Sequence, residues 1–162
     1  MNKLYIMVGI PGSGKSTFIK KFLPNVLHVS RDEIRFNLVK EDEEYFSKED
    51  EVFRQFVNDI QIGIDNNINV AADATHLNPK SRMKLLNALK INKEKTQICV
   101  IYMKTLLAKC LINNEKRKNT RAYVPQKVII DMYKSFKKPN FEECYGLIDV
   151  IHTIEVNYKG GD

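Results

Sequence analysis

One short segment limits what this chain can fold into more than any other. Residues 9–16 read Gly-Ile-Pro-Gly-Ser-Gly-Lys-Ser, between an apolar run at residues 4–8 and a helix-like stretch at residues 16–23. The pattern G-x-x-x-x-G-K-[ST] between a strand and a helix is typical of a phosphate-binding loop. Its glycines let the backbone curl so that successive N–H groups converge on phosphate oxygens, and the helix N-terminus adds the positive end of its dipole. The segment therefore predicts a site for a nucleoside triphosphate.

The residues of this loop have different expected roles in binding the triphosphate and its metal ion. Lys15 is expected to bridge the β- and γ-phosphates and to balance charge on the transferred group, while the Ser16 hydroxyl is expected to bind Mg²⁺. We predict ATP, or another nucleoside triphosphate, and Mg²⁺ as the ligands. The predicted nucleotide-binding residues are consecutive: Gly9, Ile10, Pro11, Gly12, Ser13, Gly14, Lys15, Ser16 and Thr17.

Apolar runs rich in valine and isoleucine alternate with helix-like stretches along the chain. The predicted strands are residues 4–8, 26–29, 68–72, 98–102 and 148–156, and the predicted helices are residues 16–23, 48–66, 79–89 and 125–137. Such alternation indicates an α/β fold, and continuous apolar strands indicate a sheet covered on both faces. We predict a three-layer P-loop NTPase fold with a mainly parallel five-stranded sheet, helices on both faces and a basic lid. The 162 residues are expected to form a single domain, residues 1–162.

Composition excludes several classes of protein. The apolar runs are too short and interrupted to span a bilayer, and the first apolar run leads into the glycine-rich loop instead of a cleavage site. Cys99, Cys110 and Cys144 are widely separated and lack the spacing of a zinc site or a disulfide framework. We expect a cytoplasmic protein with reduced thiols and no membrane partner. The sequence does not indicate an oligomeric state.

The positive charge of the chain is concentrated in one region. The net charge is +6, and residues 109–138 hold nine lysines and arginines against Glu115 and Asp131, which leaves −1 for the rest of the chain. A local excess of this kind suits an anionic ligand such as a nucleotide or a nucleic acid backbone. A solvated helix face is the alternative interpretation.

Asp32 and Arg35 follow the second predicted strand directly. Ligands of parallel α/β sheets gather at the carboxyl ends of the strands, so Asp32 is expected to face the γ-phosphate. A carboxylate there can accept the proton of an attacking hydroxyl, which is the role of a general base. If a helix begins here, Arg35 lies beside Asp32 and offers a fork to a substrate phosphate. The alternative is a helix-capping Asp32 with a surface ion pair to Arg35.

Asp73 occupies the predicted end of the third strand, where P-loop proteins commonly place a carboxylate near Mg²⁺. The same position would let Asp73 orient the acceptor or hold a neighbouring arginine. It also suits an ordinary strand-end turn, so these alternatives stay open.

A polar and basic segment, with Arg117 and Arg121, follows the fourth strand and the helix expected after it. We predict that residues 113–123, called the lid below, close over the triphosphate. A cationic lid would neutralise charge in the transition state and exclude water, which favours transfer to an alcohol over hydrolysis. Both arginines are candidate catalytic residues.

In the helix that follows, an apolar stripe is interpreted as core packing: Val128, Ile129, Met132, Tyr133 and Phe136.

Taken together, these segments resemble the kinase domain of bacteriophage polynucleotide 5′-hydroxyl kinases. The matching features are residues 9–16, the Arg31-Asp32 pair with Arg35, Asp73 followed by residues 77–79 and Arg82, the basic lid, and residues 124–125 followed by 132–135. The resemblance implies Asp32 as general base, Arg35 as a contact to the 3′-phosphate of the acceptor nucleotide, and a lid arginine on the donor phosphates.

The expected function is therefore phosphoryl transfer from ATP to a hydroxyl, first of all the 5′-hydroxyl of DNA or RNA. A small-molecule acceptor such as a sugar, a nucleoside or an antibiotic remains the second possibility, because the loop itself does not select the acceptor. The third is an ATPase or switch module that changes shape when the nucleotide is hydrolysed.

Overall fold

The computed structural model describes residues 1–156, so the last six residues of the predicted domain lie outside the described part. The strands are β1 (Asn2–Val8), β2 (Leu27–Ser30), β3 (Val70–Asp73), β4 (Thr96–Thr105) and β5 (Val150–Val156). The helices are α1 (Lys15–Phe22), α2 (Arg31–Leu38), α3 (Glu49–Asp65), α4 (Pro79–Ala88), α5 (Leu107–Glu115) and α6 (Gln126–Ser135).

The five strands form one sheet in the order β2-β3-β1-β4-β5, and every described pairing is parallel. In the register, Leu4 of β1 pairs with Val70 of β3 and with Ile98 of β4. β1 occupies the centre, and its apolar residues are fully buried because helices cover both faces. The predicted fold class is confirmed.

Helices cover the two faces unequally. On one face, Phe56 and Ile60 of α3 pack with Leu85 of α4 against the strands. On the other face, Ile19 of α1 packs against Met7 of β1 and other strand residues. A smaller cluster below the glycine-rich loop joins α5 and α6. The sheet is thus sandwiched, and its carboxyl-terminal edge carries the loop.

β4 is longer than the apolar pattern predicts, with ten residues instead of residues 98–102. Its polar ends are included because β4 pairs with β1 on one side and β5 on the other, so the ladder extends past the apolar core. The sequence analysis left a helix at Asp32 and Arg35 conditional, and the structure forms it as α2. Ser30 caps α2 by accepting a hydrogen bond from the Glu33 amide at 3.3 Å.

The described helices are all too short or too polar to cross a lipid bilayer.

Candidate active site

The glycine-rich loop connects β1 to α1 and adopts a conformation that depends on two glycines. Gly12 and Gly14 have φ values of 83° and 97°, in the left-handed region that glycine tolerates best. A Cβ atom on Gly12 would also lie 2.4 Å from the backbone oxygen of Cys110, so α5 could not approach the loop as closely. These two positions explain why the motif needs glycine there.

Side chains outside the loop hold its carbonyl groups. Asn113 of α5 donates to the Gly12 oxygen at 2.8 Å, and the Thr105 hydroxyl at the end of β4 donates to the Ser13 oxygen at 2.7 Å. The Gly9 amide donates to the Thr75 oxygen at 3.0 Å. The loop is therefore positioned by β4, α5 and the residues after β3, in addition to its own sequence.

Lys15 is the first residue of α1, and its ammonium group folds back over the loop. It donates to the Gly9 oxygen at 2.9 Å and to the Ile10 oxygen at 3.2 Å. Desolvation lowers the pKa of Lys15, and the nearby charge of Arg117 acts in the same direction, although Asp73 and Asp32 oppose both. These partners place Lys15 between the loop and two carboxylates.

Asp73, at the end of β3, joins the loop to β2. Its Oδ2 accepts from the Ser16 hydroxyl at 2.6 Å and lies 2.8 Å from Nε2 of His28. Burial alone would raise the pKa of Asp73, but the hydrogen bond with His28, the charge of Lys15 and the hydrogen bond from Ser16 together hold it below its usual value. Asp73 is therefore an ionised carboxylate at neutral pH, next to the serine of the phosphate loop.

Asp32 lies on the first turn of α2 and remains open to solvent. Its side chain is 69% exposed, whereas that of its partner Arg35 is 8% exposed. Arg35 Nη1 donates to Asp32 Oδ1 at 2.7 Å, and Glu49 accepts from Arg35 Nε at 2.5 Å and from Nη2 at 3.0 Å. The Tyr45 hydroxyl lies 3.4 Å from Nη1. All three guanidinium nitrogens of Arg35 thus have protein partners. Glu49 of α3 orients the Arg35 side chain, and Arg35 in turn orients Asp32.

The two lid arginines point to different places. Arg117 lines the cavity beside the loop and lies close enough to Lys15 to affect its pKa. Arg121 instead donates to the Phe36 oxygen at 2.9 Å and to the Val39 oxygen at 2.5 Å, with its guanidinium 5.0 Å from the centre of the Phe36 ring. Arg121 therefore fastens the lid to the C-terminal end of α2.

A cavity of about 620 Å³ connects these groups. Its charged lining residues are Lys15, Arg31, Asp32, Arg35, Glu49, Asp73, Lys84 and Arg117. The loop residues Pro11, Gly12, Gly14 and Ser16 line it as well, but Arg121 and Thr17 do not. The structure therefore brings together the predicted base, the phosphate loop and one of the two lid arginines.

The sequence interpretation missed two residues that bind site residues and misassigned part of the last helix. Glu49 and His28 were missed because their partners Arg35 and Asp73 are distant in the sequence. The apolar stripe of the last helix is only partly core: Ile129 is buried, but Val128 and Met132 line the cavity. Of the other two residues of the stripe, Tyr133 is exposed, and Phe136 at the end of α6 stacks on Tyr102 of β4.

The all-parallel sheet, with a glycine-rich loop between its central strand and the first helix, defines the class of this protein as a P-loop NTPase fold. Within that class, the chain belongs to the AAA_33 family of AAA domains, whose family model matches residues 4–139.

The known proteins that this chain is similar to include kinases. The L-seryl-tRNA(Sec) kinase of Methanococcus maripaludis is 30% identical over 164 residues, which cover 96% of this chain and 60% of that protein. This chain thus spans about three fifths of the curated relative. A chain from the structure of a Pnkp1/Rnl/Hen1 RNA repair complex matches with 25% identity and a TM-score of 0.70 over 83% of this chain and 43% of that one.

A sugar kinase from Janibacter sp. HTCC2649 matches with a TM-score of 0.65 and 11% identity over 96% of this chain and 86% of that one. At this low identity, the likeness shows the fold alone. The expected relationship to P-loop kinases is confirmed at the level of family and fold.

Proposed function

We propose that this chain transfers the terminal phosphoryl group of ATP, or of another nucleoside triphosphate, to the 5′-hydroxyl of DNA or RNA. One observation carries the proposal: a solvent-open carboxylate, Asp32, shares a cavity with the phosphate loop and is held there by the buried Arg35. A hydrolase needs only to position water, whereas this cavity offers an acceptor hydroxyl a fixed proton acceptor. The likeness to a chain of an RNA repair complex supports a polynucleotide acceptor.

The donor triphosphate lies on the loop from Gly9 to Thr17 in this proposal. The backbone amides of the loop and the N-terminus of α1 bind its phosphate oxygens. Lys15 exchanges its two loop carbonyls for phosphate oxygens, and its charge follows the transferred group.

The residues beside the loop fit Mg²⁺. Mg²⁺ prefers oxygen ligands, and a hydroxyl and an ionised carboxylate lie next to each other here, in Ser16 and Asp73. We assign Ser16 as the direct ligand and Asp73 as the carboxylate that orients it or the acceptor. When bound, the ion supplies neutralisation of charge on the β- and γ-phosphates.

Asp32 acts as the general base in this proposal. Its carboxylate accepts the proton of the acceptor hydroxyl while the oxygen attacks the γ-phosphorus in line with the leaving group. Arg35 acts chiefly as a positioning residue, because its nitrogens already bind Asp32 and Glu49. Any contact with the acceptor's 3′-phosphate uses the outward hydrogens of its guanidinium group.

Arg117 is the lid arginine that we assign to the donor phosphates. It lines the same cavity as Lys15, and its charge lowers the pKa of Lys15, whereas Arg121 is bonded to α2. Arg117 then stabilises the charge of the transition state, and Arg121 anchors the lid.

The test follows the label from γ-labelled ATP in the presence of Mg²⁺. The purified protein is offered a 5′-hydroxyl oligonucleotide together with a panel of sugars and nucleosides, and Asp32→Asn and the exposed neighbour Glu33→Gln are assayed in parallel. We expect label at the 5′ end of the oligonucleotide, lost in Asp32→Asn and kept in Glu33→Gln. Label on a sugar or a free nucleoside would overturn the polynucleotide acceptor, and free phosphate alone would favour an ATPase or switch.

A second candidate acceptor is the serine hydroxyl of a seryl-tRNA. The 30% identity to an L-seryl-tRNA(Sec) kinase over nearly the whole chain favours it, although that relative is considerably longer. Seryl-tRNA belongs in the same assay, and label released with the amino acid on mild alkaline deacylation identifies this acceptor.

A further inference from the structure

His28 has a polar contact at the site but no role in the proposed function. It lies on β2, where it pairs with Ala71 of β3, and Ser30 pairs with Asp73. Because side chains alternate between the two faces along a strand, His28 and Asp73 lie on the same face of the sheet. Nε2 of His28 is 2.8 Å from Oδ2 of Asp73. This bond therefore links two neighbouring strands beside the phosphate loop.

The bond between His28 and Asp73 has a definite direction. An ionised carboxylate only accepts hydrogen bonds, so Nε2 of His28 carries the proton that lies between them. Burial raises the pKa of Asp73, and the hydrogen bond from His28 is the largest of the effects that lower it. The Asp73 side chain is 6% exposed, and that of His28 is 24% exposed. His28 thus reaches from the edge strand to a buried charge and stabilises it.

Asp73 receives both of its hydrogen bonds on the same oxygen. The Ser16 hydroxyl donates to Oδ2 at 2.6 Å, beside the bond from His28. Oδ1 has no hydrogen-bond partner within the described part of the chain, and Asp73 lines the cavity. Rotation of the carboxylate would break both bonds at once. Its orientation is therefore fixed from two sides, by the loop through Ser16 and by β2 through His28.

The orientation of Asp73 decides which partners the Ser16 oxygen can take. A hydroxyl has one proton and two lone pairs. With its proton bonded to Asp73, the Ser16 hydroxyl keeps its lone pairs for other partners, and the proposed function gives one of them to Mg²⁺. Removal of a group that orients a metal ligand typically lowers metal affinity by about 10–100-fold. Asp73 orients Ser16 in this way, and His28 orients Asp73.

We propose that His28 is a positioning residue for the metal site: it holds Asp73, and Asp73 holds the Ser16 hydroxyl with its lone pairs free for Mg²⁺. The inference rests on the proposed function, which assigns Ser16 as the ligand, and it adds a residue of β2 to that site. His28 is not among the described residues that line the cavity, so it acts through Asp73 and not on a ligand. Backbone pairing already joins β2 to β3 over residues 27–30, so strand pairing does not require this side-chain bond.

Three replacements of His28 separate the effect of the hydrogen bond from that of side-chain volume. His28→Leu removes the donor and keeps most of the bulk, and His28→Asn keeps an amide that is one methylene too short to reach Asp73. His28→Gln places an amide N–H at a reach similar to that of Nε2 and is the rescue variant. His152→Leu, at an exposed histidine of the other edge strand β5, is the matched control. Melting temperatures show whether each variant is folded.

The coupling to the metal ion is measured by binding, without turnover. Titration calorimetry gives the affinity for ADP with excess Mg²⁺ and with EDTA, and the ratio of the two affinities is the enhancement by the ion. We expect wild type, His28→Gln and His152→Leu to share the same enhancement. His28→Leu and His28→Asn are expected to lose about tenfold of it, while their affinity for ADP in EDTA stays unchanged.

Ser16→Ala tests whether the effect of His28 passes through the serine. Residues of one hydrogen-bond network have non-additive effects when they are replaced together. If His28 acts through Asp73 and Ser16, His28→Leu lowers the Mg²⁺ enhancement about tenfold in the wild-type background and almost not at all in Ser16→Ala. Equal losses in the two backgrounds would overturn the inference.

Three other results would also contradict the role of His28: equal enhancements in His28→Leu and His28→Gln, equal losses of ADP affinity with Mg²⁺ and with EDTA, or no enhancement in wild type. The labelling assay separates this inference from the proposed function, because ADP binding needs no acceptor. If no oligonucleotide is phosphorylated but His28→Leu still loses its Mg²⁺ enhancement, the proposed acceptor fails and the positioning role stands. A labelled oligonucleotide together with an unchanged enhancement in His28→Leu supports the proposed function and rejects the positioning role.

Discussion

At the scale of single residues, the two lid arginines have different contacts although they are the same residue type. Arg117 lines the same cavity as Lys15 and lowers the pKa of Lys15 by its charge, whereas Arg121 is bonded to the end of α2. Positive charge near the transferred group stabilises the transition state only if it lies within reach of that group. Replacement of Arg117 is therefore expected to affect mainly catalysis, and replacement of Arg121 mainly stability.

If the proposed assignment of Arg117 to the donor phosphates is correct, Arg117→Met is expected to lower kcat about 100-fold or more with little change in melting temperature, because it removes positive charge from the transferred group. Arg121→Met removes two hydrogen bonds to backbone oxygens and is expected to lower the melting temperature by a few degrees with a smaller effect on kcat. Steady-state kinetics and thermal unfolding measure both. The reverse pattern would assign the catalytic role to Arg121.

His76 sets a pH dependence of stability. Its Nδ1 lies 2.6 Å from the Met7 oxygen, and burial lowers its pKa to about 4 from the ordinary value of 6.5. Between these values the unfolded chain binds a proton that the folded chain does not, so the free energy of unfolding falls as the pH drops from 6.5 towards 4. The loss is at most about 3 kcal/mol. The lowered pKa of Asp73 acts in the same direction at more acid pH.

His76→Asn tests this assignment. Asparagine tolerates the backbone φ of 44° and keeps an N–H donor, but it does not titrate. We expect the variant to show a flatter free energy of unfolding between pH 6.5 and pH 4, measured by urea denaturation at each pH. An unchanged slope would mean that other groups produce the pH dependence.

At the scale of elements, a buried ion pair ties α4 to the chain before β5. The Arg82 side chain is fully buried and donates to both carboxylate oxygens of Glu143, at 2.6 and 2.9 Å. It also donates to the His76 and Lys137 oxygens at 2.6 and 3.0 Å. One side chain thus connects the turn after β3, the end of α6 and the segment that precedes β5.

Glu143→Gln is expected to lower the free energy of unfolding by about 3 kcal/mol, because it leaves the buried charge of Arg82 without a counter-charge. Glu142→Gln, at the exposed neighbour, is the matched control and is expected to change stability by less than about 0.5 kcal/mol. Denaturant unfolding measures both. Equal stabilities of the two variants would mean that Arg82 gains little from its ion pair.

At the scale of the whole molecule, the excess of positive charge is concentrated in one stretch of the chain. Residues 109–138, which carry the excess of lysine and arginine, run from α5 through the lid and α6, and Arg117 of this stretch lines the cavity. Charged ligands that displace counterions bind with a strong dependence on salt. The distribution therefore predicts how acceptor affinity responds to ionic strength.

For a 5′-hydroxyl oligonucleotide, we expect log KM to rise linearly with log salt concentration, with a slope of about 1.4 if two phosphates are contacted. A KM that does not depend on salt would point to a neutral acceptor.

The phosphate loop, the five parallel strands and the α/β class follow from the sequence, because each is a local pattern. Glycines before a lysine, or an unbroken run of Val and Ile, limit the backbone within a few residues. Asp32 and Asp73 could be placed at one edge of the sheet for a related reason, since parallel strands end together.

The partners of these residues depended on tertiary structure. Glu49 holds Arg35 from another helix, Asp73 meets Ser16 across 57 residues, and Arg121 meets Phe36 across 85. No local pattern encodes such pairings, because they arise when packed helices bring distant side chains together. The sequence by itself determined that the glycine-rich loop, Asp32 and Asp73 would lie at the same edge of the sheet. That Arg117 lines the cavity while Arg121 bonds the end of α2 was decided by how the lid packs against α2.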